Sequence, residues 1–379
     1  MSMKSWNTIW AATVALAALF ALAATSFAQD QEGPKKDVDQ TVAKPRKSTS
    51  EPEEAPIPSK LSKKAQPDLP ANLPSFKSDV SVVNVDVAVL DNKGHFIPNL
   101  PRGNFRILED NVPQQIKTFG KSTAPMTVCL LIEFSAKFQW YGSQTWYQTL
   151  SAAYGFAQTL KPEDYVAVIA YDFKEEILSD FTTDKRQTYE ALQRLRIPGF
   201  AEANLFDALA DTEDRMSKIE GRKAIVLLSS GVDTFSKLTY DKARKIVQDS
   251  GVPVYAIGLM QALRIMAEGY MGPMTEIGFL QADNQMTTFA RETGGMAFFP
   301  RFYGEFPTIF QTISDSLRNQ YSIGYEPSNK ARDGKFRKIK VELVNPATNE
   351  PLRVVDQKGK PIKYQIIAKN GYTAPREVE

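Results

Sequence analysis

The sequence predicts an α/β fold: a Rossmann-like, doubly wound, mainly parallel sheet with an accessory antiparallel β-sandwich domain formed by N- and C-terminal segments. Between residues 123 and 319, buried apolar runs alternate with amphipathic segments, which is typical of βαβ units. The segments 79–122 and 320–379 instead contain strand-like runs without a helix between them. Because short sheets with open edges are marginal alone, we expect these two outer segments to combine into one domain.

The central segment begins with the run Met126 to Ile132, which predicts a fully buried strand. The predicted strands are 126–133, 165–171, 175–181, 223–229, 253–259 and 296–299, and the predicted helices are 145–160, 184–196, 205–219, 239–250, 283–293 and 305–319. Asp184 and Thr239 stand at positions suited to N-caps. Residues 260–282 have no clear period and cluster Met, Gly and Pro, so they are predicted to be a mobile surface loop of the kind that often carries binding.

The outer segments contain the alternating run Val80 to Leu90, rich in β-branched residues, which predicts a half-buried strand. A hairpin-type turn follows at Asp91 to Gly94, because Asn92 and Gly94 tolerate a positive φ. Further strands are predicted at 105–110, 115–119, 320–325, 336–344, 352–355 and 362–367.

The N-terminus has the pattern of an export signal, with Lys4 before an apolar run from Ile9 to Ala24 and small residues at Ser26 and Ala28. We expect cleavage after Ala28 (signal peptide 1–28), a periplasmic or extracellular location, and no stable membrane insertion afterwards. The alternative is an uncleaved anchor, since the apolar run approaches a membrane-spanning length. Residues 29–78 are rich in Pro, Lys and Glu and predict a disordered linker.

Charge and cysteine content exclude several classes of protein. The 46 basic and 44 acidic residues give a formal charge of +2, so no basic field favours nucleic-acid binding. The one cysteine, Cys129, lies inside a buried strand, where a packing role is expected and no internal disulfide can form. The one histidine, His95, lies in the Asp91 to Gly94 turn region and is expected to be an exposed loop residue.

Several short motifs follow one another in a distinctive order. They are Asn104-Phe105, Glu109-Asp110, the strand 126–132, Leu205-Phe-Asp-Ala-Leu209, Val226-Leu-Leu-Ser-Ser-Gly-Val-Asp-Thr234, Ile323-Gly-Tyr325, Asp333 to Lys340 and Lys369-Asn-Gly-Tyr372. In this order they resemble the von Willebrand factor type A family, and more closely the exported A-domain-like proteins of acidobacteria in which a short β-module precedes the A domain. The resemblance covers roughly residues 80–326 and extends to the motifs Asp333 to Lys340 and Lys369 to Tyr372 near the C-terminus.

The resemblance implies a metal-ion-dependent adhesion site, in which an Asp-x-Ser-x-Ser loop, a Thr and an Asp hold Mg²⁺ or Mn²⁺ for a carboxylate of the partner. Four of these five positions differ in this sequence. The matching positions are Glu133, Ser135 and Lys137 in the first loop, Ala203 beside Asn204 in the second, and Ser230 before Asp233 in the third. We therefore expect no metal and no other cofactor.

Our hypothesis is that the ammonium of Lys137 occupies the cation position, paired with Glu133 and hydrogen-bonded by Ser135 or Ser230. The alternative is that Lys137 points to solvent and Glu133 is an ordinary loop carboxylate. Aromatic residues crowd the same loop. Phe138, Trp140 and Tyr141, with Tyr270 and Met271 of the 260–282 insertion, form a predicted contact rim. Packing of the loop aromatics under that insertion is the competing interpretation.

These patterns predict an exported, non-catalytic module that binds a protein or glycan partner without metal. A structural subunit of an envelope assembly is the first alternative. A hydrolase that uses Ser135 activated by Lys137 is a remote one, because no histidine is available for a Ser-His-Asp arrangement.

Overall fold

The computed structural model describes residues 82–121, 125–136, 143–195, 200–267, 269–355 and 359–376. All of them belong to one compact unit, Phe76–Glu379. The predicted signal peptide and the predicted linker lie outside the described residues. Among the helices that are described, none is both long enough and apolar enough to cross a membrane.

Strands and helices follow in chain order, with short 3₁₀ turns at Arg102–Asn104 and Tyr303–Glu305. The strands are β1 (Val83–Asp91), β2 (Phe105–Glu109), β3 (Val112–Gln114), β4 (Ile116–Lys121), β5 (Met126–Glu133), β6 (Tyr165–Tyr171), β7 (Glu175–Thr182), β8 (Arg222–Ser229), β9 (Val254–Gly258), β10 (Ala297–Phe298), β11 (Tyr321–Tyr325), β12 (Phe336–Leu343), β13 (Val354–Val355), β14 (Pro361–Ile362), β15 (Tyr364–Ile367) and β16 (Gly371–Thr373). The helices are α1 (Ser143–Thr159), α2 (Lys185–Arg194), α3 (Leu205–Ser217), α4 (Tyr240–Ser250), α5 (Gln261–Met266), α6 (Pro273–Thr293) and α7 (Phe306–Arg318).

A six-stranded sheet in the order β10-β9-β8-β5-β6-β7 forms the centre of the α/β part. Five of its strands are parallel, and β7 runs antiparallel to β6 at one edge. Helices cover both faces of this sheet. One hydrophobic cluster contains side chains of α1, α2 and α7, and another contains side chains of α3, α4 and α6. The expected doubly wound architecture is therefore present.

Two four-stranded antiparallel sheets contain the outer segments, in the orders β15-β1-β11-β4 and β16-β12-β2-β3. Val85 and Ile323 from the first sheet belong to the same hydrophobic cluster as Ile107 and Ile339 from the second. Both sheets combine strands from the two ends of the chain, because β1 and β4 pair with β11 while β2 pairs with β12. The N-terminal strands therefore do not form a simple meander of their own.

Strand β1 contributes to two hydrophobic clusters at once. The side chains of Val85, Val87 and Val89 pack in the cluster shared by the two antiparallel sheets. Ala88 and Leu90 pack with α7 and the central sheet instead. Since successive side chains of a strand point to opposite faces, this alternation joins the antiparallel sheets to the α/β part.

The prediction of a mobile loop at 260–282 is wrong, because this segment contains α5 and the first turns of α6. Helix α6 begins with Pro273 at a first-turn position, and an ion pair of 2.5 Å between Arg264 and Asp283 links the two helices. The exposed fraction is 81% for Met274 and 56% for Ile277, so this end of α6 projects from the fold. The sequence of this segment has no periodic pattern of apolar residues, because few side chains of these turns pack against the rest of the fold.

The one cysteine and the one histidine of the chain lie where the sequence predicted. Cys129 is fully buried in β5, and this burial raises the pKa of its thiol to about 12. A thiol with that pKa is not a nucleophile at neutral pH. The side chain of His95 is 69% exposed and its Nδ1 lies 3.4 Å from the Asp91 carboxylate.

A buried carboxyl group on α3, Glu213, accepts a hydrogen bond of 2.5 Å from the Ser250 hydroxyl of α4. Its other oxygen, Oε1, has no hydrogen-bond partner. Burial raises the pKa of Glu213 well above the usual value of 4.5, so the native state binds this proton more tightly than the unfolded chain does.

We predict that Glu213→Gln stabilises the fold at neutral pH. Because the native state binds the extra proton, the free energy of unfolding of the parent chain falls as pH rises above the unfolded pKa near 4.5. The variant does not titrate there, so its advantage in urea unfolding should be near zero at about pH 4 and reach about 1 kcal/mol or more at about pH 7.5. Glu220→Gln, at an exposed position, is the control, and a pH-independent difference would contradict the prediction.

Candidate functional site

Several loops meet at the carboxyl edge of the central sheet. Because β5, β6, β8 and β9 are parallel, the loops that follow them share that edge. Backbone hydrogen bonds hold these loops together, from Phe134 to Tyr171 at 2.6 Å, from Ala136 to Phe200 at 2.7 Å and from Leu259 to Ser229 at 3.0 Å. Ligands of doubly wound sheets gather at this edge, so it is the candidate site.

The carboxylate of Glu133, the last residue of β5, is the centre of this edge and is fully buried. Ser135 donates its hydroxyl to Oε1 at 2.7 Å. The hydroxyl of Ser229, the hydroxyl of Ser230 and the backbone N–H of Ser230 donate to Oε2 at 2.9, 2.8 and 2.7 Å. Both carboxylate oxygens are therefore engaged by donors from β5 and β8 and the turns after them.

A second layer of hydrogen bonds holds these donors in place. The phenol of Tyr171, at the end of β6, donates to Ser229 Oγ at 2.8 Å, and the Gly231 N–H donates to the same oxygen at 2.8 Å. With two donors on its oxygen, Ser229 can only direct its own hydrogen toward Glu133. Burial, and secondly the Glu133 carboxylate, raise the pKa of Tyr171 well above its usual value, so the phenol remains a donor.

Asn204 connects the second predicted loop to the start of β7 by a hydrogen bond. Ala203 is fully buried and its methyl group offers no ligand atom. The Asn204 amide donates from Nδ2 to Glu175 Oε1 at 2.8 Å, and its backbone N–H donates to the Asp172 carbonyl at 2.8 Å. Asn204 is 4% exposed, yet its Oδ1 accepts no hydrogen bond.

The third predicted loop caps helix α3 with its carboxylate. Asp233 accepts hydrogen bonds from the Ser236 hydroxyl at 2.5 Å and from the Phe206 N–H at 3.3 Å, and burial raises its pKa. Asp207 of α3 accepts the N–H groups of Lys237 and Leu238 in return. Asp233 therefore organises the loop after β8 and lies apart from the Glu133 cluster in its bonding.

The predicted contact rim is described only in part. Lys137, Phe138, Trp140 and Tyr141 lie outside the described residues. Of the other two members, Tyr270 is 92% exposed and Met271 is half-buried. The hypothesis that Lys137 occupies a cation position thus remains a prediction.

Sequence reasoning missed an aromatic cluster at the same edge. The ring of Phe173, from the loop after β6, lies 4.2 Å from the ring of Phe200 and 6.4 Å from that of Phe235, in edge-to-face arrangements. Phe200 is 53% exposed and Phe235 is 56% exposed. Each residue stands alone in a polar loop, so only the topology, which brings the three loops to one edge, could have indicated the cluster.

A mainly parallel sheet with helices on both faces and a polar cluster at its carboxyl edge defines a doubly wound α/β domain of a ligand-binding class. Residues 128–311 match the family model described as von Willebrand factor type A domain. The chain therefore contains a von Willebrand factor type A domain.

Solved structures with low sequence identity also match. The vWF domain of the type V pili tip protein Mfa5 from Porphyromonas gingivalis has 14% identity and a TM-score of 0.41, with 52% of this chain and 98% of that chain covered. The PilB minor pilin from Streptococcus sanguinis has 10% identity and a TM-score of 0.37, with 52% and 62% covered. Proximal thread matrix protein 1 from the mussel byssus has 12% identity and a TM-score of 0.39, with 52% and 49% covered, so this chain spans about half the length of the mussel protein. Comparison with curated proteins gives no match.

We predict that Glu133→Gln destabilises the domain. A glutamine offers one acceptor oxygen and an NH₂ group that cannot accept, so either the Ser135 or the Ser229 and Ser230 donors lose their partner. Leaving buried donors unsatisfied costs about 1–3 kcal/mol in the free energy of unfolding. Urea unfolding measures this loss, and Glu276→Gln, at an exposed glutamate of α6, should change stability by less than about 0.5 kcal/mol. Equal stability of the two variants would contradict the central position of Glu133.

Proposed function

We propose that this chain is an exported module that binds a protein partner at the carboxyl edge of its type A domain, without a divalent cation and without catalysis. The observation that carries the proposal is the closed set of hydrogen bonds around Glu133. Accessory β-strands from both ends of the chain, which we interpret as a β-sandwich domain, support the type A domain in this role.

The donor set at this position does not fit Mg²⁺ or Mn²⁺. A hard dication needs several oxygen ligands with negative charge. Here the Ser135 and Ser230 hydroxyls donate to Glu133, and Ala203 supplies no oxygen. Among the described residues, no group of three or more His, Cys, Asp or Glu side chains is arranged to hold a metal ion. Our hypothesis from the sequence, that the ammonium of Lys137 occupies the cation position, adds a further argument, because an ammonium within a few ångströms of a dication repels it by several kcal/mol.

Exposed aromatic side chains supply the contact surface in this proposal. Besides Phe200 and Phe235, Tyr270 after β9 and Phe302 after β10 are 92% and 62% exposed. All four follow parallel strands or precede α3, so they share the carboxyl edge. Large exposed aromatic side chains on one edge are typical of protein-binding surfaces, where they provide much of the binding energy.

Non-catalytic binding is favoured over hydrolysis by the orientation of the serines. A nucleophilic serine needs a base that takes its proton. The hydroxyls of Ser135 and Ser230 point their hydrogens at a carboxylate whose two oxygens already accept four hydrogen bonds in total. Ser135 and Ser230 are 0% and 2% exposed, so a substrate has little access to either hydroxyl oxygen, which supports a role in orienting the loops.

We predict that the chain, expressed from Gln29 and treated with EDTA, binds neither Mg²⁺ nor Mn²⁺ in isothermal titration at micromolar concentrations. The physical reason is the lack of charged oxygen ligands around Glu133. Micromolar binding that disappears in the Glu133→Ala variant would overturn the metal-independent proposal. Calorimetry of a type A domain with an intact adhesion site provides the positive control.

We predict that Phe200→Ser combined with Phe235→Ser abolishes partner capture when the tagged chain is purified from its own cell envelope, because the substitutions remove the apolar contact while leaving the buried core intact. Tyr165→Ser is the matched control, since Tyr165 is 47% exposed but lies at the amino end of β6. Circular dichroism confirms folding of all variants.

The result of this capture experiment also tests the alternative that the chain is a structural subunit of an envelope assembly. If the double variant loses self-association in sedimentation while it still captures the same proteins, assembly is the function of this surface and recognition is not. If the double variant captures partners and self-associates as well as the parent chain does, Phe200 and Phe235 take part in neither function.

A further inference from the structure

Two carboxylates on α3 interact electrostatically with one at the start of β7, next to the aromatic cluster. Asp207 and Asp211 are four residues apart and so lie on one side of α3. Both raise the pKa of Glu175, after burial as the larger cause. Like charges repel, so a cation bound beside these carboxylates would lower the free energy of the arrangement.

No described cation relieves this repulsion. In the described part of the chain, Glu175, Asp207 and Asp211 form no ion pair. Arg215 is the next residue on this side of α3. It forms an ion pair of 2.5 Å with Asp180, and its guanidinium lies over the Phe181 ring. Lys174 lies over the Phe173 ring, 5.7 Å from its centroid, and forms no ion pair with a described residue. The charge of this surface is therefore unbalanced toward the negative.

A second, independent observation points to a missing donor at the same place. Asn204 is 4% exposed, and its amide nitrogen is fixed on Glu175 at 2.8 Å. The amide oxygen Oδ1 of the same side chain, two covalent bonds from that nitrogen, accepts no hydrogen bond. A buried acceptor without a donor costs free energy that a ligand with N–H groups would recover.

We propose that this acidic aromatic patch, made of Phe173, Phe200, Phe235, Glu175, Asp207 and Asp211, binds an arginine side chain presented by the partner protein. A guanidinium stacks on aromatic rings and donates several hydrogen bonds from one plane. It would thus match the exposed phenylalanine rings, the carboxylates and Asn204 Oδ1 at once. In a metal-dependent adhesion site, a metal ion on the domain binds a carboxylate of the partner. Here carboxylates on the domain would bind a cation of the partner.

The inference rests on the proposed function, because it names the chemistry of the partner at the same edge. The proposed function and this inference can fail separately. Loss of partner capture in the Phe200→Ser, Phe235→Ser variant without any arginine binding would leave the proposed function intact and overturn this assignment.

The test is an amide NMR titration of the chain expressed from Gln29 with N-acetyl-L-arginine amide. We expect millimolar binding with shifts confined to 172–176, 200–211 and 233–236. N-acetyl-L-citrulline amide, which has the same shape without the charge, should cause no shifts there. Shifts of equal size with citrulline, or none with arginine, would overturn the proposal.

Two variants distinguish the patch from general electrostatic attraction. Glu175→Gln combined with Asp211→Asn should weaken arginine binding at least about fivefold, since each lost charge-assisted contact is worth on the order of 1 kcal/mol. The amide oxygen introduced by Glu175→Gln can still accept the Asn204 hydrogen bond, and Asp211 is exposed, so the fold is retained. Glu220→Gln, at the amino edge of the sheet, should leave the affinity unchanged.

The basic residues between 29 and 75 of this chain are the competing occupant. If a chain that begins at Phe76 shows arginine-dependent shifts in the patch while the longer chain shows none, the occupant is this chain's own segment. That result would overturn the assignment to a partner.

Discussion

The buried carboxylate of Glu133 determines how the loops at the carboxyl edge are arranged. A carboxylate removed from water needs donors around it, and the fold supplies them from the turn after β5, from the end of β8 and from the turn after β8. Tyr171 reaches the same cluster from β6 through Ser229. Three neighbouring strands are thereby fixed to one another by a polar contact at the edge where ligands of such sheets bind.

The buried carboxylate of Glu133 supports our proposal that this type A domain keeps its architecture without a divalent cation. In a metal site, carboxylates and hydroxyls direct lone pairs at one ion. Around Glu133 the hydroxyl hydrogens are turned toward the carboxylate, so the serines are donors to the protein. In the recognition that we propose, the negative charge that binds the partner lies elsewhere, on Glu175, Asp207 and Asp211.

The sequence was sufficient to predict the strands and helices with a clear apolar period, and the resemblance to type A domains placed Glu133, Ser135 and Ser230 at one predicted site. Residues 260–282 were mistaken for a loop because α5 and the projecting turns of α6 bury too little to leave a periodic pattern.

The aromatic cluster and the unbalanced carboxylates could not be foreseen, because Phe173, Phe200 and Phe235 are far apart in the chain and only the order of strands brings them together. Pairing of β1 with β11 likewise depends on contacts that no local pattern encodes.

Strand β1 has a consequence for how the molecule comes apart. Its valines belong to the cluster of the antiparallel sheets, and Ala88 and Leu90 belong to the core under α7. Neither part can lose β1 without exposing apolar surface in the other. The two parts should melt as one cooperative unit, and a shortened chain that starts at Pro125 would be prone to aggregate through the surface left open along α7.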